Sequence, residues 1–273
     1  MVDWLMEFRA LGKTGDVLAA VGMGTWKMEN HIDSIESLKR GIELGSTFID
    51  TAEMYGNGHV EEMVAEAIRG VREKVFIGTK VSPENLSYDD LLRAAERSLR
   101  RLNISTIDLY QVHWPNSEIP IRDSMRAMEH LVNQGKVRFI GVSNFSSRQT
   151  NEAQEALSRH ELVSNQVEYS ILERGVEKDL VPYCQKEHIN IIAYSPLARE
   201  GIFRGKVGEE LESMGKNYGK TSAQIALNWL LTKPGVVTIP KASKISHLEE
   251  NINSIGWKLS PKDEKILDEL SMI

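Results

Sequence analysis

The sequence predicts an α/β protein, a (β/α)8 TIM barrel, because short apolar segments alternate with amphipathic helical ones. Eight runs rich in Val, Ile and Phe are expected to be strands: VGMGTW (21–26), FIDTAE (48–53), VFIGTK (75–80), IDLYQVHW (107–114), VRFIGVSN (137–144), SNQVEYS (164–170), INIIAYSP (189–196) and VVTIPKA (236–242). Nearly continuous apolar character is typical of parallel strands that helices cover. Eight such units over about 250 residues match the size of a barrel.

The segments between these strands show helical periodicity and helix start signals. In LLRAAERSLRRL (91–102) the apolar residues fall on one stripe, which predicts a helix that packs on a sheet. Ser260 and Pro261 resemble the cap and first turn of a last helix. Three pairs resemble capping boxes: Asp33 with Glu36, Ser87 with Asp90, and Thr221 with Gln224.

An open, doubly wound sheet is the alternative fold. Its glycine fingerprint is lacking, because the nearest candidate, GMGTWK (22–27), has no third glycine. Two segments fall outside the strand and helix alternation. The residues before 21, with Gly12 and Gly15, predict an N-terminal β-hairpin that closes the barrel bottom, and residues 201–220 predict an enlarged loop on the active face.

Composition limits the class of protein. With 273 residues and a 41% hydrophobic fraction, the chain is long enough for a large core, and we expect one domain over 1–273. The single cysteine, Cys184, excludes an intrachain disulfide and favours a reducing compartment. The first 16 residues do not resemble a signal peptide, and no stretch approaches the roughly 20 apolar residues of a membrane span. We therefore expect a cytoplasmic protein.

Charge and histidine spacing argue against two further classes of function. The 33 basic and 39 acidic residues give a net charge of −6 without a basic block, which argues against a nucleic-acid partner. The seven histidines include no pair with the spacing of a helical metal site such as H-E-x-x-H, so we expect no metal.

Polar residues end nearly every predicted strand. Because the carboxyl ends of barrel strands meet on one face, where barrel enzymes have their active sites, these residues predict a pocket. They are Trp26, Asp50, Lys80, His113, Ser143, Asn144, Gln166, Glu168, Tyr194, Ser195 and Lys241.

Four residues of this face can together form a tuned general acid. The phenol of Tyr55 has an ordinary pKa of about 10, and we expect a neighbouring Lys80 ammonium, held by Asp50, to lower it. Such a phenol can protonate a developing alkoxide, while His113 donates a hydrogen bond to the same oxygen. No residue of the set supplies electrons, so a hydride must come from a cofactor.

The motifs that carry these residues resemble those of the aldo-keto reductases, NAD(P)H-dependent oxidoreductases with a (β/α)8 barrel, and in particular short-tailed microbial members. The resemblance runs from VGMGTW through FIDTAEMYGNG, VFIGTKV, DLYQVHWP, GVSNF, NQVEYS and AYSPL to IPKAS and LEENI, in family order and spacing. It implies that Asp50, Tyr55, Lys80 and His113 are the catalytic tetrad, with Tyr55 as the proton donor.

The resemblance also implies a cofactor site and a substrate pocket. Ser143, Asn144 and Gln166 would hold the nicotinamide carboxamide, and Tyr194 would stack on the ring. The remaining cofactor positions are Gly24, Thr25, Asp50, Ser195, Pro196, Leu197, Lys241, Ala242, Ser243, His247, Glu250 and Asn251. Trp26, Tyr55, His113 and Trp114 would line the substrate pocket.

The chain departs from the family pattern at the adenosine end. Many members have Lys-Ser followed by an arginine that grips the 2′-phosphate, where this chain has Lys241, Ala242 and His247. Losing that arginine removes a charge-assisted contact of about 1.5 to 3 kcal/mol. NADP(H) is expected to be the preferred cofactor, with NAD(H) as the alternative.

The function that the resemblance implies is reduction of small aldehydes and ketones to alcohols. The alternative within the same family is a cofactor-binding regulatory subunit, like the β-subunits of potassium channels, with little turnover. The chain ends at Ile273, without the long tail of several vertebrate members, so an open pocket and a broad substrate range are expected. The partner is a small carbonyl compound, with no membrane, and a monomer is the default.

Overall fold

The structure is a computed structural model that describes residues 6–28 and 31–270. Residues 1–5, which belong to the N-terminal segment compared with a signal peptide, lie outside this range. The end of the chain, from which an open pocket is expected, also lies outside the described residues.

The chain begins with an antiparallel hairpin of β1 (Phe8–Ala10) and β2 (Val17–Ala19), so the predicted hairpin is confirmed. Leu11 and Leu18 are buried in one cluster with apolar residues of the barrel interior. Asn190, at the start of a barrel strand, accepts the Gly12 N–H at 2.8 Å and donates to the Ala10 carbonyl at 3.0 Å. The hairpin therefore covers the amino-terminal end of the barrel.

Within the described residues, eight parallel strands form one sheet in chain order. They are β3 (Met23–Gly24), β4 (Phe48–Asp50), β5 (Phe76–Val81), β6 (Ile107–Val112), β7 (Val137–Ser143), β8 (Leu162–Glu168), β9 (Asn190–Tyr194) and β10 (Val236–Thr238). Each strand contains or overlaps one predicted apolar run, so all eight strand predictions are confirmed. At the carboxyl end of most strands, the predicted run extends one or more residues beyond the observed strand.

The sheet closes on itself, which excludes the open doubly wound alternative. Parallel bridges join Val21 to Thr238 and Gly24 to Lys241, next to the first and last strands. The backbones approach so closely here that a Cβ on Gly24 would lie 2.5 Å from the Ile239 carbonyl oxygen. This close approach explains why the first strand has a glycine at this position.

Helices cover the outside of the barrel and supply its main apolar core together with the strands. In the described residues they are α1 (His31–Glu43), α2 (His59–Ala67), α3 (Tyr88–Leu102), α4 (Ile121–Asn133), α5 (Ser147–Ala156), α6 (Leu180–Glu187), α7 (Gly205–Tyr218), α8 (Ser222–Leu231), α9 (Ile245–Ile252) and α10 (Pro261–Leu270). Five short 3-10 segments accompany them, at Tyr55–Gly58, Arg72–Lys74, Pro83–Asn85, Gly175–Lys178 and Ala198–Phe203. None of the helices described is both long and apolar enough to cross a membrane.

The structure confirms some of the predicted helix starts and contradicts others. Thr221 and Gln224 form a complete capping box at α8, and Ser260 accepts the Asp263 N–H at 3.2 Å at the start of α10. Ser87 occupies the cap position of α3, but its hydroxyl bonds to the Asp90 carboxylate at 2.5 Å instead of to a backbone amide. The capping box predicted there is therefore wrong.

The capping box predicted for Asp33 and Glu36 is also wrong. Helix α1 already includes His31, so Asp33 lies in its first turn, where a carboxylate favours the positive end of the helix dipole. The complete box at α5 was missed, although Ser146 and Gln149 have the required spacing.

The enlarged loop predicted for residues 201–220 is wrong, because this segment forms the end of a 3-10 turn followed by α7. Two of its glycines, Gly208 and Gly215, reflect close packing, and Gly205 and Gly219 have positive φ values of 58° and 62° at the two ends of α7. A Cβ on Gly208 would lie 2.5 Å from the Phe203 carbonyl carbon, and one on Gly215 would lie 2.5 Å from the Lys220 carbonyl oxygen. Glycine content therefore misled the sequence interpretation here.

Candidate active site

A buried ion pair lies where two neighbouring strands end. The Lys80 ammonium, on β5, lies 2.6 Å from Asp50 Oδ2 at the end of β4, and it also donates to the Thr51 carbonyl at 2.8 Å. The two side chains are 0% and 2% exposed. Burial acts to lower the pKa of Lys80, but Asp50 and Tyr55 outweigh it and raise the pKa. Lys80 is therefore charged at neutral pH.

The phenol of Tyr55 lies against this ammonium. A 3-10 turn follows β4, and its first residue, Tyr55, has its hydroxyl 3.4 Å from Lys80 Nζ. Gly56 and Asn57 have φ values of 56° and 53°, left-handed conformations that glycine and asparagine tolerate. The turn that brings the phenol beside the strand ends therefore depends on these residue types.

The pKa of Tyr55 differs from the prediction. Burial raises the pKa of this phenol, the Lys80 ammonium lowers it, and the net result is above its ordinary value. Lys80 lowers the pKa of Tyr55 as predicted, but the expected net lowering is wrong, because burial of the phenol outweighs the effect of Lys80. Tyr55 is consequently protonated at neutral pH, which is the form that can give up a proton.

His113 follows β6 and faces the same phenol. The centroids of its ring and the Tyr55 ring lie 5.6 Å apart with planes at 74°, an edge contact. Burial, assisted by the charge of Lys80, lowers the pKa of His113 to about 3, so the imidazole is neutral. Its buried Nδ1 has no hydrogen-bond partner within the described part of the chain. A buried nitrogen without a hydrogen-bond partner is energetically costly.

Two side-chain amides contact the other carboxylate oxygen of Asp50, Oδ1. Gln166 Nε2, on β8, donates to Asp50 Oδ1 at 2.7 Å, and Gln111 Nε2, on β6, lies 3.4 Å from the same oxygen. Gln166 is one of the residues predicted from the sequence, whereas Gln111 was not predicted. Gln111 lies on β6, two residues before His113, and this polar position on the same strand face was the available signal.

Asn144 connects several of the predicted residues. It lies directly after β7 with a φ of 61°, and its Nδ2 donates to the His113 carbonyl and to Ser143 Oγ, both at 3.0 Å. Its Oδ1 accepts the Tyr194 hydroxyl at 3.0 Å. Ser143 Oγ in turn donates to the Gln166 carbonyl at 2.8 Å. These residues form one fixed polar patch beside the ion pair.

Two half-exposed tryptophans follow strands at the same end of the barrel. Trp26 and Trp114 are 40% and 47% exposed, so neither is a core residue. The Trp26 ring has Lys27 Nζ 4.6 Å and Arg199 Cζ 5.2 Å from its centroid, within the range of cation–π contacts. The sequence analysis did not identify Arg199, which reaches Trp26 from the segment after β9.

The segment after β9 has an unusual backbone. Ser195 and Ala198 have φ values of 48° and 46°, and the Ala198 N–H bonds to the Ser195 carbonyl at 2.8 Å. Burial raises the pKa of Tyr194, just before this turn, to about 12. Pro196 and Leu197 lie within the turn, and so the stretch from Tyr194 to Leu197 runs along the barrel mouth.

The remaining predicted cofactor residues lie where the barrel closes. Thr25 is buried and donates to the Asp50 carbonyl at 2.9 Å, and Gly24 is bridged to Lys241. Ala242 is buried, with Ser37 Oγ donating to its carbonyl at 2.9 Å.

Beyond Ala242, the predicted residues lie on the approach to α9 and on the helix itself. Ser243 is half-buried and precedes the helix, and His247 is exposed on it. Glu250 is half-buried, with its carbonyl accepting Gln224 Nε2 at 3.0 Å, and Asn251 is buried. These residues are continuous with the closing bridge.

The carboxyl ends of the strands thus bring together Asp50, Tyr55, Lys80 and His113, with Gln166, Ser143 and Asn144 as hydrogen-bonded neighbours. The arrangement offers a protonated phenol beside a fixed positive charge, with a neutral imidazole next to it. Among residues 6–28 and 31–270, no group of three or more His, Cys, Asp or Glu side chains could hold a metal ion. The chemistry that this set supports is proton transfer to an oxygen atom.

Comparison with known proteins gives consistent findings. The Aldo/keto reductase family profile matches residues 20–272. The chain is 39% identical over 270 residues to methylglyoxal reductase YeaE of Escherichia coli K12, covering 96% of this chain and 95% of the relative. It is 38% identical over 255 residues to glyoxal reductase of Bacillus subtilis, covering 92% and 88% of the two chains.

Solved structures of similar proteins have the same fold. The thermostable aldo-keto reductase Tm1743, in complex with the inhibitor epalrestat, superposes with a TM-score of 0.93 at 44% identity, covering 97% of this chain and 100% of that one. An aldo/keto reductase from Klebsiella pneumoniae, in complex with NADP and acetate, superposes with a TM-score of 0.89 at 38% identity, covering 98% and 96%.

Proposed function

Since the chain belongs to the aldo/keto reductase family of oxidoreductases, we propose that it reduces small aldehydes and ketones to alcohols, with NADP(H) as cofactor and Tyr55 as proton donor. The observation that supports this most directly is the position of Lys80 Nζ, 2.6 Å from Asp50 Oδ2 and 3.4 Å from Tyr55 Oη. A fixed cation beside a neutral phenol is what protonation of an alkoxide requires.

The roles of the four residues follow from their electrostatics. Tyr55 holds the proton at Oη and gives it to the carbonyl oxygen as negative charge develops there. The phenolate that remains is stabilised by the Lys80 ammonium, which Asp50 keeps in place. Neutral His113 donates a hydrogen bond to the same carbonyl oxygen and orients it. When bound, NADPH supplies the hydride that the carbonyl carbon receives.

The polar patch beside the ion pair suits a carboxamide group. Ser143, Asn144 and Gln166 present fixed hydroxyl and amide groups next to Asp50, and Tyr194 offers a ring face at the same level. Two structures of aldo-keto reductase from Klebsiella pneumoniae, in complex with NADP and with NADPH, are 38% and 37% identical to this chain. Their similarity supports the same cofactor here.

The rest of the cofactor site is proposed along the barrel mouth and the closing bridge. Gly24 and Thr25 would contact the ribose of nicotinamide, and the stretch from Ser195 to Leu197 the pyrophosphate. At the far end, the 2′-phosphate and adenine would be held by Lys241, Ala242, Ser243, His247, Glu250 and Asn251. The exposed Lys241 and His247 side chains fit a phosphate better than an uncharged hydroxyl.

The proposed substrates are small reactive carbonyl compounds. The relatives from Escherichia coli and Bacillus subtilis are named methylglyoxal reductase and glyoxal reductase. Trp26 and Trp114 expose large apolar surfaces at the mouth and would form the walls of the substrate pocket together with Tyr55 and His113.

The experiment that tests the proposal follows the absorbance of NADPH, and separately of NADH, with methylglyoxal, glyoxal and an aromatic aldehyde. We expect oxidation of NADPH with at least one aldehyde and weaker use of NADH. Tyr55→Phe should lower kcat by about 10²- to 10⁴-fold, because it removes the general acid. Unchanged NADPH binding by the variant, measured by fluorescence, shows that the site is intact. Wild-type protein that binds NADPH but reduces none of the carbonyls would contradict the proposal.

A further inference from the structure

The carboxylate of Glu53 is buried close to the tetrad, and the mechanism above does not use it. The side chain is 6% exposed. Glu53 lies between Thr51, whose carbonyl accepts the Lys80 ammonium, and Tyr55, whose hydroxyl lies 3.4 Å from the same ammonium. A buried charge at this position needs strong compensating contacts.

Those contacts join the Tyr55 segment to the loop after β5. Glu53 Oε1 accepts the Ser82 N–H at 2.8 Å and Asn85 Nδ2 at 2.9 Å, and its own N–H donates to the Lys80 carbonyl at 3.2 Å. The carboxylate therefore fixes the segment that carries Tyr55 to Ser82, which directly follows the Lys80 strand, and to Asn85, which lies in the turn after it.

The same turn is fixed to a third loop. Asn116, three residues after His113, donates through Nδ2 to the Pro83 carbonyl at 3.0 Å. Pro83 and Asn85 belong to one short 3-10 turn. Glu53, Ser82, Asn85 and Asn116 thus form a connection, here called the loop clamp, between the three loops that follow Asp50, Lys80 and His113.

Two arginines lie beside the carboxylate of Glu53. Arg97 and Arg101, on α3, lie 3.4 Å and 3.9 Å from Glu53 Oε2. They approach one oxygen, while the clamp contacts are made by the other. The charge is therefore compensated from the helix side, and Oε1 remains directed to the loops.

The Tyr55 turn needs such a connection because it leaves the sheet. Strand β4 ends at Asp50, and the Thr51 and Glu53 N–H groups still donate to carbonyls of β5. Beyond Glu53, Gly56 and Asn57 take left-handed conformations. The Tyr55 N–H bonds only locally, to the Ala52 carbonyl at 3.1 Å. A shift of the turn would change the Tyr55 to Lys80 distance, on which the stabilisation of a phenolate depends.

We propose that Glu53 is a positioning residue, which holds Tyr55 Oη beside Lys80 Nζ through the loop clamp. This inference rests on the proposed reductase function for its kinetic consequence. Its geometric consequence is independent of turnover, because the distance to Lys80 also sets the pKa of the Tyr55 phenol.

The test compares Glu53→Ala and Glu53→Gln with a matched control, Glu61→Ala. Glu61 is also a fully buried carboxylate, and it also pairs with Arg101, whose Nε lies 2.6 Å from Oε2. Its other partner is the Thr79 hydroxyl at 2.6 Å, and within the described residues it forms no hydrogen bond or ion pair with the clamp loops. Both alanine variants therefore remove a buried charge next to the same arginine, but only one opens the clamp.

For Glu53→Ala we expect kcat to fall by about 10- to 100-fold, since small misplacements of reacting groups have effects of that order. KM and the Kd for NADPH should stay within about twofold, because the substrate and cofactor contacts remain. The alkaline limb of the kcat profile should move to higher pH, because a more distant Lys80 lowers the pKa of Tyr55 less. Glu53→Gln keeps an oxygen acceptor for Ser82 and Asn85, so it should recover kcat to within about threefold of wild type.

Two further measurements test the positioning role of Glu53 even if Glu53→Ala does not fold or turnover is absent. Asn85→Ala removes one arm of the clamp from a half-buried position, and it should lower kcat in the same direction by about threefold, even where Glu53→Ala does not fold. Titration of the Tyr55 phenol by ultraviolet difference absorbance, with Tyr55→Phe as the blank, needs no turnover. It should give a higher pKa in Asn85→Ala and Glu53→Ala than in wild type.

The inference is overturned if Glu53→Ala folds and retains kcat within about twofold of wild type, or if Glu61→Ala loses as much kcat as Glu53→Ala. An unchanged phenol pKa in both clamp variants overturns it as well. If the wild-type protein shows no turnover, only the proposed function is contradicted. The phenol titration then tests the loop clamp.

Discussion

The Lys80 ammonium and the Asp50 carboxylate form an ion pair of 2.6 Å that is almost completely removed from solvent. Such a pair contributes little net stability, because desolvation of both ions offsets their attraction. Its retention in the barrel is understandable if the charge of Lys80 acts on a neighbouring group, and the phenol of Tyr55 is that neighbour.

The ion pair should therefore respond asymmetrically to substitution. Asp50→Asn leaves the buried ammonium uncompensated, so the free energy of unfolding should fall by about 3 to 5 kcal/mol. The double variant Asp50→Asn, Lys80→Met should regain part of that stability and no activity. Urea unfolding and NADPH turnover on both variants check this. Recovery of activity in the double variant would contradict the role assigned to Lys80.

Stability should depend on the protonation of His113. Its pKa in the folded protein is about 3, below the ordinary value of about 6.5, so the unfolded state binds a proton more readily between these values. The contribution of this residue to stability is present above about pH 6.5 and is lost as pH falls towards 3. Unfolding of wild type and His113→Gln, measured across this range, should show a steeper decline for wild type; parallel curves would contradict the prediction.

The rate of carbonyl reduction should decline only at alkaline pH. The pKa of Tyr55 lies above its ordinary value, and the neutral imidazole of His113 does not titrate between pH 5 and 8. Hence kcat should be nearly constant through neutrality and fall as the phenol ionises. A pH profile with an inflection near 6.5 in kcat would assign a titrating role to a histidine and contradict this account.

Helix caps should contribute differently to the free energy of unfolding, according to the hydrogen bonds that they form. Thr221→Ala removes a side chain that accepts the Gln224 N–H, and it should lower the free energy of unfolding by about 1 kcal/mol. Ser87→Ala should have a smaller effect, since its hydroxyl bonds to a carboxylate and caps no amide. Neither variant should change turnover. Equal losses in urea unfolding would show that the two caps do not differ as described.

Closure of the barrel should depend on Gly24. A Cβ there would lie 2.5 Å from the Ile239 carbonyl oxygen, so Gly24→Ala should destabilise the protein by about 1 to 3 kcal/mol. Gly175→Ala is the matched control, because its Cβ would meet only the end of the Glu173 side chain at 3.2 Å. A Gly24→Ala protein as stable as the Gly175→Ala protein would show that the bridge tolerates a side chain.

Most of the architecture was accessible from the sequence, because its determinants are local. Strands buried by helices must be apolar, and the residues that interrupt the apolar runs mark the strand ends. For this reason the sequence alone assigns Asp50, Lys80 and His113 to the face formed by the carboxyl ends of the strands. Tyr55 could be added because its glycine-bearing turn follows the Asp50 strand directly.

What the sequence did not predict depends on packing, both within a segment and between distant ones. The glycines of α7 indicated a loop, since the close approach of the Phe203 and Lys220 backbone to Gly208 and Gly215 is not visible in a linear pattern. The raised pKa of Tyr55 depends on its burial, and burial of a side chain in a turn has no periodic signal. Glu53 and Gln111 were missed as contributors for the same reason, because their partners lie about 30 and 60 residues away.

The central claim is that the Tyr55 phenol protonates the carbonyl oxygen. The most direct test is the rate of NADPH oxidation by methylglyoxal in a single turnover, for wild type, Tyr55→Phe and the control Tyr183→Phe, each saturated with NADPH. Tyr183 lies on α6, where its hydroxyl bonds to Asn151 at 3.3 Å. We predict that the single-turnover rate falls by at least about 10²-fold in Tyr55→Phe and does not fall in Tyr183→Phe. A Tyr55→Phe protein that oxidises NADPH at the wild-type rate would contradict it.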